Sequence, residues 1–128
     1  MTREQIIEAL ITKAESDAQT ARELYVIKRY DWALFIWHLA IEKVIKAILL
    51  QEMKEIEYTH KLLALAKKTD IEISKLQEDQ LREITTYNIE ARYDDYKLSF
   101  YHKADKQYTK LWNAICEEVY QFFKSKLK

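Results

Sequence analysis

A chain of 128 residues without one glycine or proline is confined to a narrow set of structures, because average usage would supply roughly nine of the first and six of the second. A phosphate-cradling P-loop, a dinucleotide fingerprint, a G-x-S-x-G nucleophile elbow and a calcium loop all need glycine where the backbone takes φ > 0 or closely approaches a ligand. None of them can be built here. Hairpin turns lean on Gly and Asn as well, whereas helices of Ala, Leu, Ile, Glu, Lys and Gln need neither breaker. The chain reads as all-α.

The helices can be placed from caps and periodicity. Thr2 with Gln5 forms a capping box, and Ile6, Ile7, Leu10, Ile11, Ala14, Ala18, Ala21, Leu24 and Tyr25 recur at helical spacing, giving a first helix over about Arg3 to Tyr25. Lys28, Arg29 and Tyr30 make a turn, and Asp31 is placed to cap a second helix reaching about Lys54. Apolar side chains nearly encircle that helix, which predicts a central element or one covered by a second subunit. Thr59 is expected to cap a short third helix with Leu62, Leu63, Leu65 and Ala66 inward. Ser74 with Gln77 repeats the capping box for a fourth helix, marked by Leu76, Leu81, Ile84, Tyr87, Asn88 and Ala91 and ending near Arg92. Tyr93 to Lys103 has no clear period but is too aromatic for a disordered linker. A fifth helix follows from about Asp105, with Tyr108, Leu111, Trp112, Ile115, Val119, Phe122 and Phe123 in its apolar stripe. The expectation is one domain over residues 1–128, an up-and-down antiparallel bundle of about five helices.

Lys plus Arg equals Asp plus Glu, 21 against 21, so there is no global field to draw in duplex DNA by counterion release. The single cysteine, Cys116, cannot close an internal disulfide, and the residues after Met1 lack the apolar stretch of a signal peptide. Both predict a cytoplasmic location. The apolar run from Trp32 to Leu50 carries His38, Glu42, Lys43 and Lys46, and each charge near a bilayer centre costs about 2.5 to 3.5 kcal/mol. It is expected to be a core helix rather than a membrane span.

Lys43 falls on the apolar face of the second helix and needs a carboxylate partner, for which Asp17 on the first helix is placed; Glu42 and Lys46 are spaced to pair along their own helix. Asp17, Glu42, Lys43, Lys46 and His60 are thus expected to be buried polar residues with structural roles. His38 and Glu42 stand one turn apart, but no H-E-x-x-H or Cys pair completes a metal site, and no metal or cofactor is expected. Cys116 shares a face with Trp112, Val119 and Phe123 and reads as a small core residue. Ser16, Ser74, Ser99 and Ser125 have no base at helical spacing, so a hydrolase triad has no support. The remaining cluster, Arg92, Tyr93, Tyr96, Tyr101 and His102, combines a cation, stacking surfaces and an imidazole suited to a nucleotide or a partner; the alternative is that its aromatics staple an irregular segment over the bundle.

These residues carry a resemblance. Tyr30-Asp31-Trp32-Ala33 followed by Ala40-Ile41-Glu42-Lys43-Val44-Ile45-Lys46-Ala47 resembles the central helix of HEPN domains, and Ala14-x-x-Asp17-Ala18-x-x-Ala21 resembles their first helix. Thr59-His60-x-Leu62-x-x-Leu65 is similar to the third-helix motif, and Tyr87-x-x-Glu90-Ala91-Arg92-Tyr93 with Asp95-Tyr96 to the family's Arg-Tyr-Pro-Asp stretch, with Asp94 where proline is common. The resemblance implies a bundle that forms a homodimer, with a minimal nucleotidyltransferase as partner in a toxin–antitoxin or stress-related module of prokaryotes. Ribonucleases of the superfamily carry an Arg followed after four to six residues by a His. Here eight residues separate Arg29 from His38 and nine separate Arg92 from His102. The resemblance then points to a non-catalytic, dimeric module that binds this partner and a nucleotide or RNA, and no membrane. The alternative is a divergent endoribonuclease using Arg92 and His102.

Overall fold

The computed structural model describes residues 1–93 and 98–128. Among them the chain forms six helices and no strand: α1 (Arg3–Val26), α2 (Tyr30–Gln51), α3 (Leu62–Lys68), α4 (Lys75–Arg92), α5 (Ser99–Lys103) and α6 (Lys106–Lys124). The sixth is the single turn α5, which lies in the stretch without a clear period. It forms because Phe100 is drawn into the core against Tyr87, with ring centroids 5.8 Å apart.

Both capping boxes are present, Thr2 with Gln5 on α1 and Ser74 with Gln77 on α4, and Asp105 caps α6 by accepting from the Tyr108 N–H at 2.8 Å. Two other caps differ from expectation. Arg29, not Asp31, occupies the N-cap of α2 and has no side-chain cap, while Asp31 lies in the first turn, where its charge suits the helix dipole. Thr59 accepts from the Lys61 N–H at 3.1 Å instead of starting the helix, and α3 begins at Leu62, whose N–H goes to Thr85 Oγ1 of α4 at 3.0 Å. A tertiary bond replaces the local cap.

Without glycine, the helix ends use other residues. After α1 the N–H groups of Lys28 and Arg29 return to the carbonyls of Tyr25 and Leu24, and after α2 those of Met53 and Lys54 return to Leu50 and Leu49. Both are Schellman motifs, which need a left-handed residue at the position glycine usually fills. Lys28 (φ 66) and Met53 (φ 62) take it instead. Met53 thereby ends α2 at Gln51, three residues short of the expected Lys54.

The four long helices alternate in direction. Arg3 bonds the Leu50 carbonyl and Lys43 bonds Asp17, so α1 and α2 are antiparallel; Trp37 bonds Asn113 and Gln51 bonds Lys128, so α6 runs along α2. Helix α3 also follows α2, from His60 beside His38 to Lys68 beside Lys54, and α4 returns against α3. Helix α2 is the hub, packed on α1, α3, α4, α5 and α6. Alanines make its closest contact possible: Ala33, Ala40 and Ala47 on α2 and Ala14, Ala18 and Ala21 on α1 are all fully buried. Larger side chains fill the other sides, with Leu34, Trp37, Ile41, Ile45, Leu62, Leu81, Ile84, Tyr120 and Phe123 in one core; each Leu, Ile and Phe among them contributes about 1.5 to 3 kcal/mol by burial. Leu76 and Leu111, assigned to apolar stripes, are 67% and 58% exposed. Among the described residues, no helix is long and apolar enough to cross a membrane.

Candidate functional site

Among the described residues, three polar groupings border the core, and Asn88 and Thr109 are buried within it. The first joins α2 to the start of α3. His38 is fully buried, and its Nε2 lies 3.0 Å from the His60 carbonyl, so that nitrogen carries the proton. Its Nδ1 has no hydrogen-bond partner and faces Glu42 Oε1 at 3.8 Å. Burial pushes the imidazole below its ordinary pKa, outweighing the His60 carbonyl and the Glu42 charge, so the ring is neutral at pH 7. Glu42 accepts from Lys46 Nζ at 2.7 Å and from His60 Nδ1 at 3.0 Å. Burial alone would raise the Glu42 carboxyl; the two donors more than offset it and leave its pKa below the ordinary value.

Burial differs among the expected structural residues. Asp17 and Glu42 are buried, the Lys43 and Lys46 side chains are partly exposed, and the His60 side chain is 57% exposed, not buried. Its anchors are its carbonyl and Nδ1, which leaves the rest of the ring toward solvent.

The second grouping is the bond between Asp17 Oδ2 and Lys43 Nζ, 2.6 Å across the α1–α2 seam, with Lys13 Nζ 3.9 Å from the other carboxylate oxygen. It meets the requirement of a carboxylate for Lys43.

The third was not assembled from sequence. Tyr87 and Tyr108 hydroxyls are 2.7 Å apart, Tyr108 donates to Glu83, and Lys103 Nζ reaches Glu83 at 3.1 Å and Glu90 at 3.4 Å. Burial and the adjacent carboxylate raise the Tyr108 hydroxyl well above its usual range, and burial does the same for Tyr87. The spacing of Glu83, Tyr87 and Glu90 on one α4 face is a signal in the sequence. Their partners from α5 and α6 are not.

Arg92 ends α4 with its guanidinium 5.9 Å from the Tyr93 ring centroid, both side chains being exposed. Tyr101 and His102 instead line a cleft of about 310 Å³ with Lys28, Tyr30, Asp31, Asp105 and Lys106, at the end of the bundle where α2 and α6 begin. Arg92 is not part of that lining. Tyr96, with Asp94 and Asp95, lies outside the described residues. Cys116 is fully buried and its thiol is pushed well up by desolvation, which makes it a core residue. Among the described residues no three His, Cys, Asp or Glu side chains come together to hold a metal ion.

The sequence model of the HEPN domain family matches residues 7–126. The chain belongs to the HEPN domain family. Its fold is shared with the crystal structure of TT1696 from Thermus thermophilus, at a TM-score of 0.82 over 94% of this chain and 98% of that one, with 17% sequence identity. At that identity the likeness concerns the fold alone. No curated protein matches the chain. Within the HEPN bundle, the Ala14-x-x-Asp17 pattern supplies the α1–α2 seam, and His60 ties α3 to α2.

Proposed function

We propose that this HEPN domain works by binding rather than catalysis: it pairs as a homodimer and docks a minimal nucleotidyltransferase in a toxin–antitoxin or stress-related module, with its end cleft open to a nucleotide or an RNA segment. The observation carrying this reading is that the cleft lined by His102 draws its cations from Lys28 and Lys106 and is not lined by Arg92. The endoribonuclease alternative needs Arg92 and His102 on one phosphodiester, whereas Arg92 lies beside the Tyr93 ring and is not among the residues that line the cleft of His102, Lys28 and Lys106. The cleft sets Lys28 and Lys106 against Asp31 and Asp105, with Tyr30 and Tyr101 beside them, so a nucleotide there meets aromatic side chains, donors for its phosphate and acceptors for its base or sugar.

Affinity capture from native cells tests the partner, and recovery without a nucleotidyltransferase overturns that part. Thermal melts with adenosine and guanosine phosphates test the cleft: a ligand of the folded state raises the melting temperature, and His102→Ala with Lys106→Glu removes that rise. Cleavage of a labelled RNA panel, lost in both Arg92→Lys and His102→Ala, would replace this reading by the endoribonuclease one.

A further inference from the structure

Helices α1 and α2 carry a second apolar face that the bundle does not use. On α2, Trp32, Phe35 and Leu39 follow one another at steps of three and four, so they share a face. Trp32 is 49% exposed, Phe35 and Leu39 are half-buried, and all three lie outside the core cluster and outside the side chains packed on it. On α1, Ile6 and Leu10 repeat this situation, Ile6 being 38% exposed. Asp17 continues the α1 stripe and Lys43 the α2 stripe. Because Lys43 Nζ and Asp17 Oδ2 meet at 2.6 Å, both stripes lie on the same side of the helix pair.

We propose that this α1–α2 face is where a second copy of the chain seats, about a twofold axis passing near the Asp17–Lys43 pair. The inference rests on the homodimer part of the reading above and deepens it by assigning the surface. Size supports it: a helix of 22 residues is about 33 Å long, and two helices about 9 Å apart present a face about 20 Å wide. That gives roughly 650 Å², near the roughly 800 Å² each partner contributes to a standard interface.

The layout of the face favours a copy over a foreign partner. The face is apolar at both ends, with Trp32 and Phe35 at one and Ile6 and Leu10 at the other, since α1 and α2 are antiparallel. Its centre holds Asp17 between Lys43 and Lys13, the Lys13 side chain being 64% exposed. Rotation by half a turn lays apolar end on apolar end, and the long Lys13 stem can carry its charge to solvent at the rim.

Sedimentation at micromolar concentration, with circular dichroism to verify folding, tests this on wild type, Leu39→Arg, Trp32→Ala and, on the far side of the bundle, Leu111→Arg. Wild type and Leu111→Arg are expected to be dimers. Leu39→Arg should weaken the dimer at least a hundredfold and Trp32→Ala about tenfold; if Leu39→Arg fails to fold, Trp32→Ala alone decides. A wild-type monomer overturns the homodimer reading and this surface together. A wild-type dimer whose dissociation constant is unchanged in the folded Leu39→Arg and Trp32→Ala variants overturns only this surface.

Discussion

His38 Nε2 lies 3.0 Å from the carbonyl oxygen of His60, so a fully buried imidazole on α2 fixes the backbone just before α3. The same ring stays neutral because burial holds its pKa below the ordinary value of about 6.5. An unfolded chain takes up a proton there that the folded one refuses. Stability from this group is therefore full above about pH 6.5 and declines as pH falls below it. Glu42, also depressed, adds a second loss further into acid as its own folded pKa is crossed. Replacing His38 by Gln, whose amide can donate to the same carbonyl, should flatten the fall in melting temperature between pH 6.5 and 5. An unchanged slope in His38→Gln would remove His38 as its source.

Lys43 should tolerate loss of charge better than loss of its stem. Lys43→Met keeps the aliphatic contacts in the α1–α2 seam and frees Asp17 to take up a proton or water, so stability should stay within about 1 kcal/mol of wild type. Lys43→Ala also loses packing and should be less stable than Lys43→Met. Urea titrations of the two variants compare them directly, and equal midpoints would show that the stem contributes nothing.

The Tyr87, Tyr108 and Glu83 chain is asymmetric. Tyr108→Phe removes the donor to Glu83 and leaves the buried Tyr87 hydroxyl without its partner, a loss of about 1 to 3 kcal/mol. Tyr87→Phe keeps the Tyr108 bond to Glu83 and should cost about 0.5 to 1.5 kcal/mol. Thermal denaturation should rank Tyr108→Phe as the less stable, and the reverse order would mean that the two hydroxyls are not in series.

Met53 holds a left-handed conformation at φ 62, which costs a residue with a Cβ about 1 to 2 kcal/mol. Glycine removes that cost but gives back about 0.5 to 1 kcal/mol through a freer unfolded chain. Met53→Gly should therefore stabilise by about 0.5 to 1 kcal/mol. A calorimetric melting temperature at or below that of wild type would contradict the account of the α2 terminus.

The sequence by itself determined the long helices and the ion pair between the first two. The missing glycine and proline excluded the turns that strands need, the two capping boxes marked the starts of α1 and α4, and Lys43 on an apolar face required a carboxylate, which is Asp17. These are local matters, governed by backbone propensity and by the cost of an unpaired charge. Only the tertiary structure decided what depends on side chains far apart in the chain. Thr85 on α4 claims the Leu62 N–H and moves the start of α3 past Thr59. Phe100, buried against Tyr87, turns an aperiodic stretch into α5. Tyr108 and Lys103 gather on Glu83, and α5 places His102 beside the starts of α2 and α6. Periodicity describes the face of one helix, whereas a site is made by the faces that packing brings opposite one another.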